Sequence, residues 1–166
     1  PIESVTIMNR IIESVENDKN NFDLDLEQQQ RTSSKQKKLI STTDAITSAA
    51  YTIARTAEAK AIVTFSLSGK TTLRMAKERA PVLIIGLSPN IKTARKTQLV
   101  WGVYSRHTKQ DAQNTVEMVS IACKIIKEQK LANTGDSIVI TAGVPFGNAG
   151  STNLLRIAKI IDDKDL

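Results

Sequence analysis

Apolar residues recur every three or four positions at the start of the chain and predict an amphipathic helix over residues 1–16. One side of this helix would carry Ile2, Val5, Met8, Ile12 and Val15. Residues 17–41 are instead rich in Asn, Gln, Ser and charged side chains, with too few apolar residues for a core. We therefore expect a helix over 1–16, a polar linker over 17–41 and a folded domain over 42–166.

Beyond the linker, short apolar runs alternate with stretches of helical periodicity. A run such as AIVTF at 61–65 is too short for a helix and too rich in β-branched residues for a surface loop, which is typical of a buried strand. Strands are predicted at 61–65, 82–87, 100–104, 136–143 and 154–161. Helices are predicted at 42–59, 71–78, 91–99 and 115–129.

This alternation predicts an α/β fold with three layers, αβα, in which helices cover both faces of a mainly parallel five-stranded sheet. The loop between the last two strands is too short for a comfortable helical crossover. The last strand should therefore run antiparallel at one edge of the sheet.

Two helix starts contain residues that suit capping. Thr43 is the candidate N-cap of the helix at 42–59, and Asn114 precedes the longest helix with Glu117 three residues further on, a variant of the capping box. The inner stripe of the longest helix is predicted to comprise Val116, Val119, Ala122, Cys123 and Ile126. Cys123 is interpreted as a small core residue, because no base accompanies it in the motif.

Composition narrows the class of protein. The chain has 166 residues, 40% of them hydrophobic and 24% charged, which suits one globular domain with an appendage. A lone Cys123 and a lone His107 disfavour disulfides and metal sites built from cysteine or histidine. With no membrane span or secretion signal visible, we expect a soluble cytoplasmic protein. Because the chain begins at Pro1, we also expect a piece of a longer protein.

The net charge of +6 is unevenly distributed. Between Lys70 and Lys109 the chain has nine Lys and Arg residues and a single acidic one, Glu78. Such a stretch would suit phosphate groups, yet aromatic residues make up only 4% of the chain, so platforms for stacking bases are scarce. A solvated basic face is the favoured interpretation, and a free-standing anion- or nucleic-acid-binding module stays open as the alternative.

The loop after the first predicted strand has the composition of a phosphate site. It reads Ser66-Leu67-Ser68-Gly69-Lys70-Thr71 and runs straight into a helix. Backbone N–H groups at Gly69, Lys70 and Thr71, together with the serine and threonine hydroxyls, could surround an anion. A nucleotide-binding P-loop is rejected, since Thr64 stands where its first glycine is required. From spacing alone, a plainly capped helix start explains the loop equally well.

A second loop, 143–152, has glycines at positions 143, 147 and 150 without dinucleotide-binding spacing, and could form a lid or a wide turn. No constellation for catalysis is visible. With His107 as the lone histidine no serine has a plausible catalytic partner. Capping or turns account for the carboxylates at Asp44, Glu58, Glu117 and Asp136.

Read in order, several segments resemble the C-terminal domain of pyruvate kinase. These are STTDAITSAAYTIART, AKAIVTFSLSGKT, MAKERAPVLIIGLSPN, LVWGVYS and GDSIVITAGVPFGNAGSTNLLRI. The resemblance covers nearly everything from Thr42 to Ile160. Residues 1–16 also look like the last helix of that enzyme's catalytic barrel.

The resemblance implies a regulatory, non-catalytic domain of an enzyme that transfers phosphate from phosphoenolpyruvate to ADP in glycolysis. The barrel with its catalytic residues would lie outside this chain, so no catalytic or metal-binding residue and no cofactor are expected in it, while magnesium and potassium would serve the full-length enzyme. Expected partners are that barrel, further copies of the chain in a tetramer, and a phosphorylated small-molecule effector, without nucleic acid or membrane. The implied effector site comprises Ser66, Leu67, Ser68, Gly69, Lys70 and Thr71. The loop facing it would comprise Gly147, Asn148, Ala149, Gly150, Ser151 and Thr152.

One departure from the family pattern concerns the effector. Relatives activated by fructose 1,6-bisphosphate have an arginine for the second phosphate where this chain has Met118. A sugar monophosphate or AMP therefore fits better than a bisphosphate, and loss of regulation is a further possibility. A complete small kinase is a third hypothesis, which turnover by the isolated chain would establish.

Overall fold

The computed structural model describes residues 1–16, 41–109, 111–147 and 152–161. It divides into two units, Pro1–Leu39 and Ile40–Leu166. In the first unit, helix α1 spans Ile2–Glu16, as the periodicity predicts, and the apolar stripe is exposed, with Met8 61% accessible. That α1 comes from a catalytic barrel stays a prediction.

In the second unit, helices and strands alternate along the chain. The helices are α2 (Thr42–Thr56), α3 (Lys70–Lys77), α4 (Ile91–Thr97) and α5 (Thr115–Glu128). The strands are β1 (Ala61–Phe65), β2 (Leu83–Ser88), β3 (Val103–His107), β4 (Ser137–Ala142) and β5 (Leu154–Lys159). No helix in the described ranges is long and apolar enough to span a bilayer.

The five strands form one sheet in the order β3-β2-β1-β4-β5. All neighbouring pairs are parallel except β4 and β5, which run antiparallel with Val139 opposite Ile157. The predicted sheet with one antiparallel edge strand is therefore confirmed. Because β1 and β4 are parallel neighbours, their carboxyl ends meet at the same edge, and the loops after Phe65 and Ala142 begin there.

Side chains alternate between the two faces of the sheet, and the core differs between them. Helix α5 covers one face, where Val63 and Ile140 pack with Met118 and Cys123 in a fully buried cluster. The opposite face, covered by α2, α3 and α4, is partly lined by hydroxyls. There the Thr64 Oγ1 lies 2.8 Å from the Thr72 Oγ1 of α3. The three-layer αβα arrangement is confirmed.

Strand β3 begins later than predicted. The apolar run at 100–104 suggested a strand, but α4 ends at Thr97 and residues 98–102 form turns in which Gly102 has φ +68°. Trp101 is half exposed, and the Arg79 guanidinium carbon lies 4.2 Å from the centroid of its ring. The strand therefore starts only at Val103.

Two details of the helices also differ from expectation. Ser41, not Thr43, caps α2: its Oγ accepts a hydrogen bond from the Asp44 N–H at 3.2 Å, while Thr43 is buried. In α5, Val116 is 67% exposed and Met118 is fully buried. The inner stripe thus contains Met118 instead of Val116, since positions 118, 119, 122, 123 and 126 share one face. Asn114 caps α5 as predicted, accepting from Val116 and Glu117 N–H groups.

Candidate anion-binding site

A polar cavity of about 130 Å³ lies at the edge of the sheet where β1 and β4 end. The loop between β1 and α3 forms one wall, and residues that follow β4 form another. In open α/β sheets, ligands bind outside the carboxyl ends of the parallel strands. The cavity therefore occupies the position that the fold favours for a ligand.

The β1–α3 loop has a fixed conformation. The Ser66 N–H donates to the Leu87 carbonyl at 3.0 Å, which ties the loop to β2. The Thr93 hydroxyl donates to the Leu67 carbonyl at 2.9 Å, which ties it to α4. These bonds place the loop backbone before any ligand arrives, so little ordering entropy would be lost on binding.

Gly69 forms the turn into α3 and is required for its shape. Its φ is +77°, a left-handed conformation that favours glycine, and a Cβ there would lie 2.9 Å from the Thr97 Cγ2. Its N–H, one of the three that the sequence suggested for an anion, instead donates to the Ser66 Oγ at 3.0 Å. No side chain caps α3, and no acceptor in the described ranges pairs with the N–H groups of Lys70 and Thr71. Those two donors remain for an anion.

The wall that follows β4 is fastened to the rest of the domain. Asn153 bonds the Val144 backbone twice, accepting from its N–H at 2.8 Å and donating to its carbonyl at 2.6 Å. The buried hydroxyls of Thr71 and Thr152 hydrogen-bond to each other. The two loops singled out by the sequence therefore meet directly at the cavity.

Charged groups around the cavity are of both signs. Lys70 and Arg74 line it, and the Arg74 Nε lies 3.3 Å from the Asp44 Oδ1. Asp111 also lines it and accepts from the Gly147 N–H at 3.1 Å. One helical turn beyond Arg74, burial raises the pKa of the Glu78 carboxyl, and the nearby Asp44 charge raises it further.

The structure brings most of the sequence-predicted residues together. Ser66, Leu67, Ser68, Lys70, Thr71, Gly147 and Thr152 line the cavity, and Gly69 shapes the loop behind it. Asn148, Ala149, Gly150 and Ser151 lie outside the described residues. Sequence reasoning missed Thr43, Phe65, Arg74 and Asp111, while Gly143 and Phe146 belong to the second loop at 143–152 but were not named as site residues. Arg74 could have been found from its position one turn after Lys70, whereas Asp111 approaches only through the tertiary fold.

Metal ligation is not supported by the side chains that the structure describes. No group of three or more His, Cys, Asp and Glu residues within the described ranges is placed to hold a metal ion. Asp44 and Asp136 take part in hydrogen bonds at a helix start and a turn, which agrees with their sequence interpretation.

Fold and cavity together define a class: a three-layer α/β domain with a polar, hydroxyl-rich cavity at the carboxyl edge of its sheet. The family model for the pyruvate kinase alpha/beta domain matches residues 44–158. The chain therefore belongs to the pyruvate kinase family, and the matched region is its C-terminal α/β domain.

Individual relatives agree with this assignment. A pyruvate kinase of Methylorubrum extorquens is 36% identical over 158 residues, which covers 95% of this chain and 32% of the relative. One from Geobacillus stearothermophilus is also 36% identical, covering 98% of this chain and 26% of the relative. Among solved structures, Cryptosporidium parvum pyruvate kinase in complex with ADP matches with a TM-score of 0.68 and 27% identity, over 76% of this chain and 25% of that one. The chain thus spans about a third of the length of such relatives or less.

Proposed function

We propose that this chain acts as the regulatory, non-catalytic C-terminal domain of a cytoplasmic pyruvate kinase, the glycolytic enzyme that converts phosphoenolpyruvate and ADP to pyruvate and ATP. In this proposal it binds a phosphorylated effector and contributes to subunit assembly. The enzyme's magnesium and potassium would serve a catalytic domain outside the residues described. The observation that carries the proposal is the cavity lined by Lys70, several hydroxyls and the start of α3, where the N–H groups of Lys70 and Thr71 have no acceptor among the described residues.

A phosphate group suits this cavity for three physical reasons. Backbone N–H groups at the start of α3 present partial positive charge, which the helix dipole reinforces. The hydroxyls of Ser66 and Ser68 lie along the same wall, and Lys70 supplies a full positive charge. Hydrogen bonds between such donors and an anion are about twice as strong as those between neutral groups.

Binding can be tested by titrating the chain with fructose 6-phosphate in a calorimeter. Lys70→Gln should weaken binding at least about tenfold, because a charge-assisted contact is worth roughly 1.5–3 kcal/mol. Lys77→Gln is the matched control, since Lys77 is exposed at the other end of the same helix and does not line the cavity. Equal affinities for the two variants would contradict the proposal.

The non-catalytic part of the proposal has its own test. The isolated chain should not convert phosphoenolpyruvate and ADP to pyruvate in a coupled assay with magnesium and potassium present. Turnover that follows the purified chain through successive columns would contradict this and establish a complete small kinase instead. Affinity for arbitrary duplex DNA that falls steeply with salt would favour the nucleic-acid-binding alternative.

A further inference from the structure

Asp111 places a carboxylate in the wall of the cavity that otherwise favours phosphate. The residue lies between β3 and α5, and the structure positions its side chain from two directions. The Oδ1 accepts from the Ala112 N–H at 3.0 Å, and the Oδ2 accepts from the Gly147 N–H at 3.1 Å. Because both oxygens are bonded, the carboxylate cannot turn away from the cavity without losing backbone partners.

The lining of the cavity has charge for one phosphate group and not for two. Arg74 is already paired with Asp44. Of the two cationic side chains that line the cavity, Lys70 is therefore the one without a carboxylate partner in the described part of the chain. A second phosphate group in so small a cavity would stand close to the negative Asp111, and like charges at such short distances repel each other.

The carboxylate of Asp111 also provides strong hydrogen-bond acceptors to a ligand in the cavity. Each ionised carboxyl group has about four lone-pair positions, and the two backbone bonds of Asp111 use only part of this capacity. The remainder can accept hydrogen bonds from hydroxyl groups of a ligand. Asp111 is therefore matched to a ligand that is anionic at one end and rich in hydroxyl donors at the other.

We infer that Asp111 is a specificity-determining residue, which selects a phosphomonoester of a polyhydroxy compound and rejects the corresponding bisphosphate. This inference rests on the proposed phosphate site and names the chemical class of its ligand. Asp111 would repel a second phosphate group, whereas the β1–α3 loop attracts the first. Specific binding sites commonly combine attraction of the right ligand with repulsion of the wrong one.

The test compares fructose 6-phosphate, fructose 1,6-bisphosphate and butyl phosphate, which has no hydroxyl groups, by calorimetry on the full chain. The unmodified chain should bind the monophosphate about tenfold more tightly than the bisphosphate, and also more tightly than butyl phosphate. Asp111→Asn keeps the side-chain size and one acceptor oxygen but removes the charge. It should bind the bisphosphate more tightly than the unmodified chain does, so that the preference for the monophosphate largely disappears.

Glu128→Gln is the control, because it removes the same charge from an exposed position on α5 outside the cavity, and it should preserve the preference. If all three compounds bind and Asp111→Asn leaves the ratio unchanged, the role of Asp111 is overturned while the phosphate site stands. If the unmodified chain prefers the bisphosphate, the inference fails whether or not the variant folds. If no compound binds, the proposed site fails as well.

Discussion

At the scale of single residues, Gly69 shows how backbone and packing act together. Its left-handed φ and the close Thr97 Cγ2 both disfavour a side chain, whereas Gly102 shares the left-handed φ with no atom within 4 Å of a Cβ. Gly102→Ala should therefore lower the free energy of unfolding by about 1 kcal/mol. Gly69→Ala should lower it by roughly 2–3 kcal/mol, because overlap is added to the backbone strain. Urea unfolding of both variants measures the difference, and equal losses would contradict this account of Gly69.

Thr141 is a second residue whose environment leads to a prediction. Its hydroxyl is buried and, among the described residues, has no hydrogen-bond partner. Thr141→Val removes this unpaired group at nearly constant volume and should raise the free energy of unfolding by about 1 kcal/mol. Thr64→Val should instead destabilise by about 1–3 kcal/mol, because it leaves the Thr72 hydroxyl without its partner. A destabilised Thr141→Val protein would show that this hydroxyl is paired in solution.

Glu78 leads to a prediction about pH. Burial, with a smaller contribution from Asp44, raises the pKa of this carboxyl in the folded protein above its ordinary value of 4.5. The folded state thus favours the neutral form of Glu78. The free energy of unfolding that this neutral form contributes is fully present below the pKa of Glu78 in the unfolded chain, and it is lost as the pH rises through the higher pKa of the folded protein. Glu78→Gln should consequently stabilise the protein more at pH 7 than at pH 4. Chemical unfolding at both values tests this, with the exposed Glu128→Gln as control, and a pH-independent effect of Glu78→Gln would contradict it.

At the scale of elements, β5 is a sheet edge that pairs only with β4 within the described sheet. Its outer backbone groups invite pairing with another strand, and Ile157 is 50% exposed. We predict that two copies of the chain dimerise through antiparallel β5 strands, an arrangement that satisfies both edges at once.

Sedimentation equilibrium tests this dimer. Ile157→Glu should weaken it at least about tenfold, because like charges would face each other across the two-fold axis. Leu99→Glu is the matched control, since Leu99 is 90% exposed and lies away from β5, next to the start of β3. A monomer at high concentration, or equal dimer constants for both variants, would contradict the prediction.

At the scale of the whole molecule, the alternation of strands and helices along the chain could be predicted because the central strands β1, β2 and β4 are mostly apolar and buried. AIVTF coincides with β1, and the short connection between β4 and β5 correctly indicates an antiparallel edge. The start of β3 could not be predicted, since Trp101 is apolar by composition but stacks with Arg79 at the surface. Periodicity did not separate Val116 from Met118, because both are apolar and the choice depends on which face of α5 meets the sheet.

The candidate site was predictable in part for a related reason. Ser66 to Thr71 are contiguous, so their composition and the helix that follows identify the loop. Asp111 is far from that loop in the sequence and approaches it through its bond to Gly147, 36 residues further along the chain. Local sequence patterns do not indicate contacts between residues so far apart in the chain. The position of this carboxylate in the cavity therefore follows only from the three-dimensional structure.

The central claim is that the cavity at the β1–α3 loop binds the phosphate group of an effector. The most direct measurement is the crystallographic position of fructose 6-phosphate bound to this chain. We expect the phosphate group within hydrogen-bond distance of the Lys70 and Thr71 N–H groups, at the start of α3. An ordered phosphate bound only elsewhere, such as on the exposed lysines of α4, or an empty loop at a ligand concentration that saturates binding in solution, would contradict the claim.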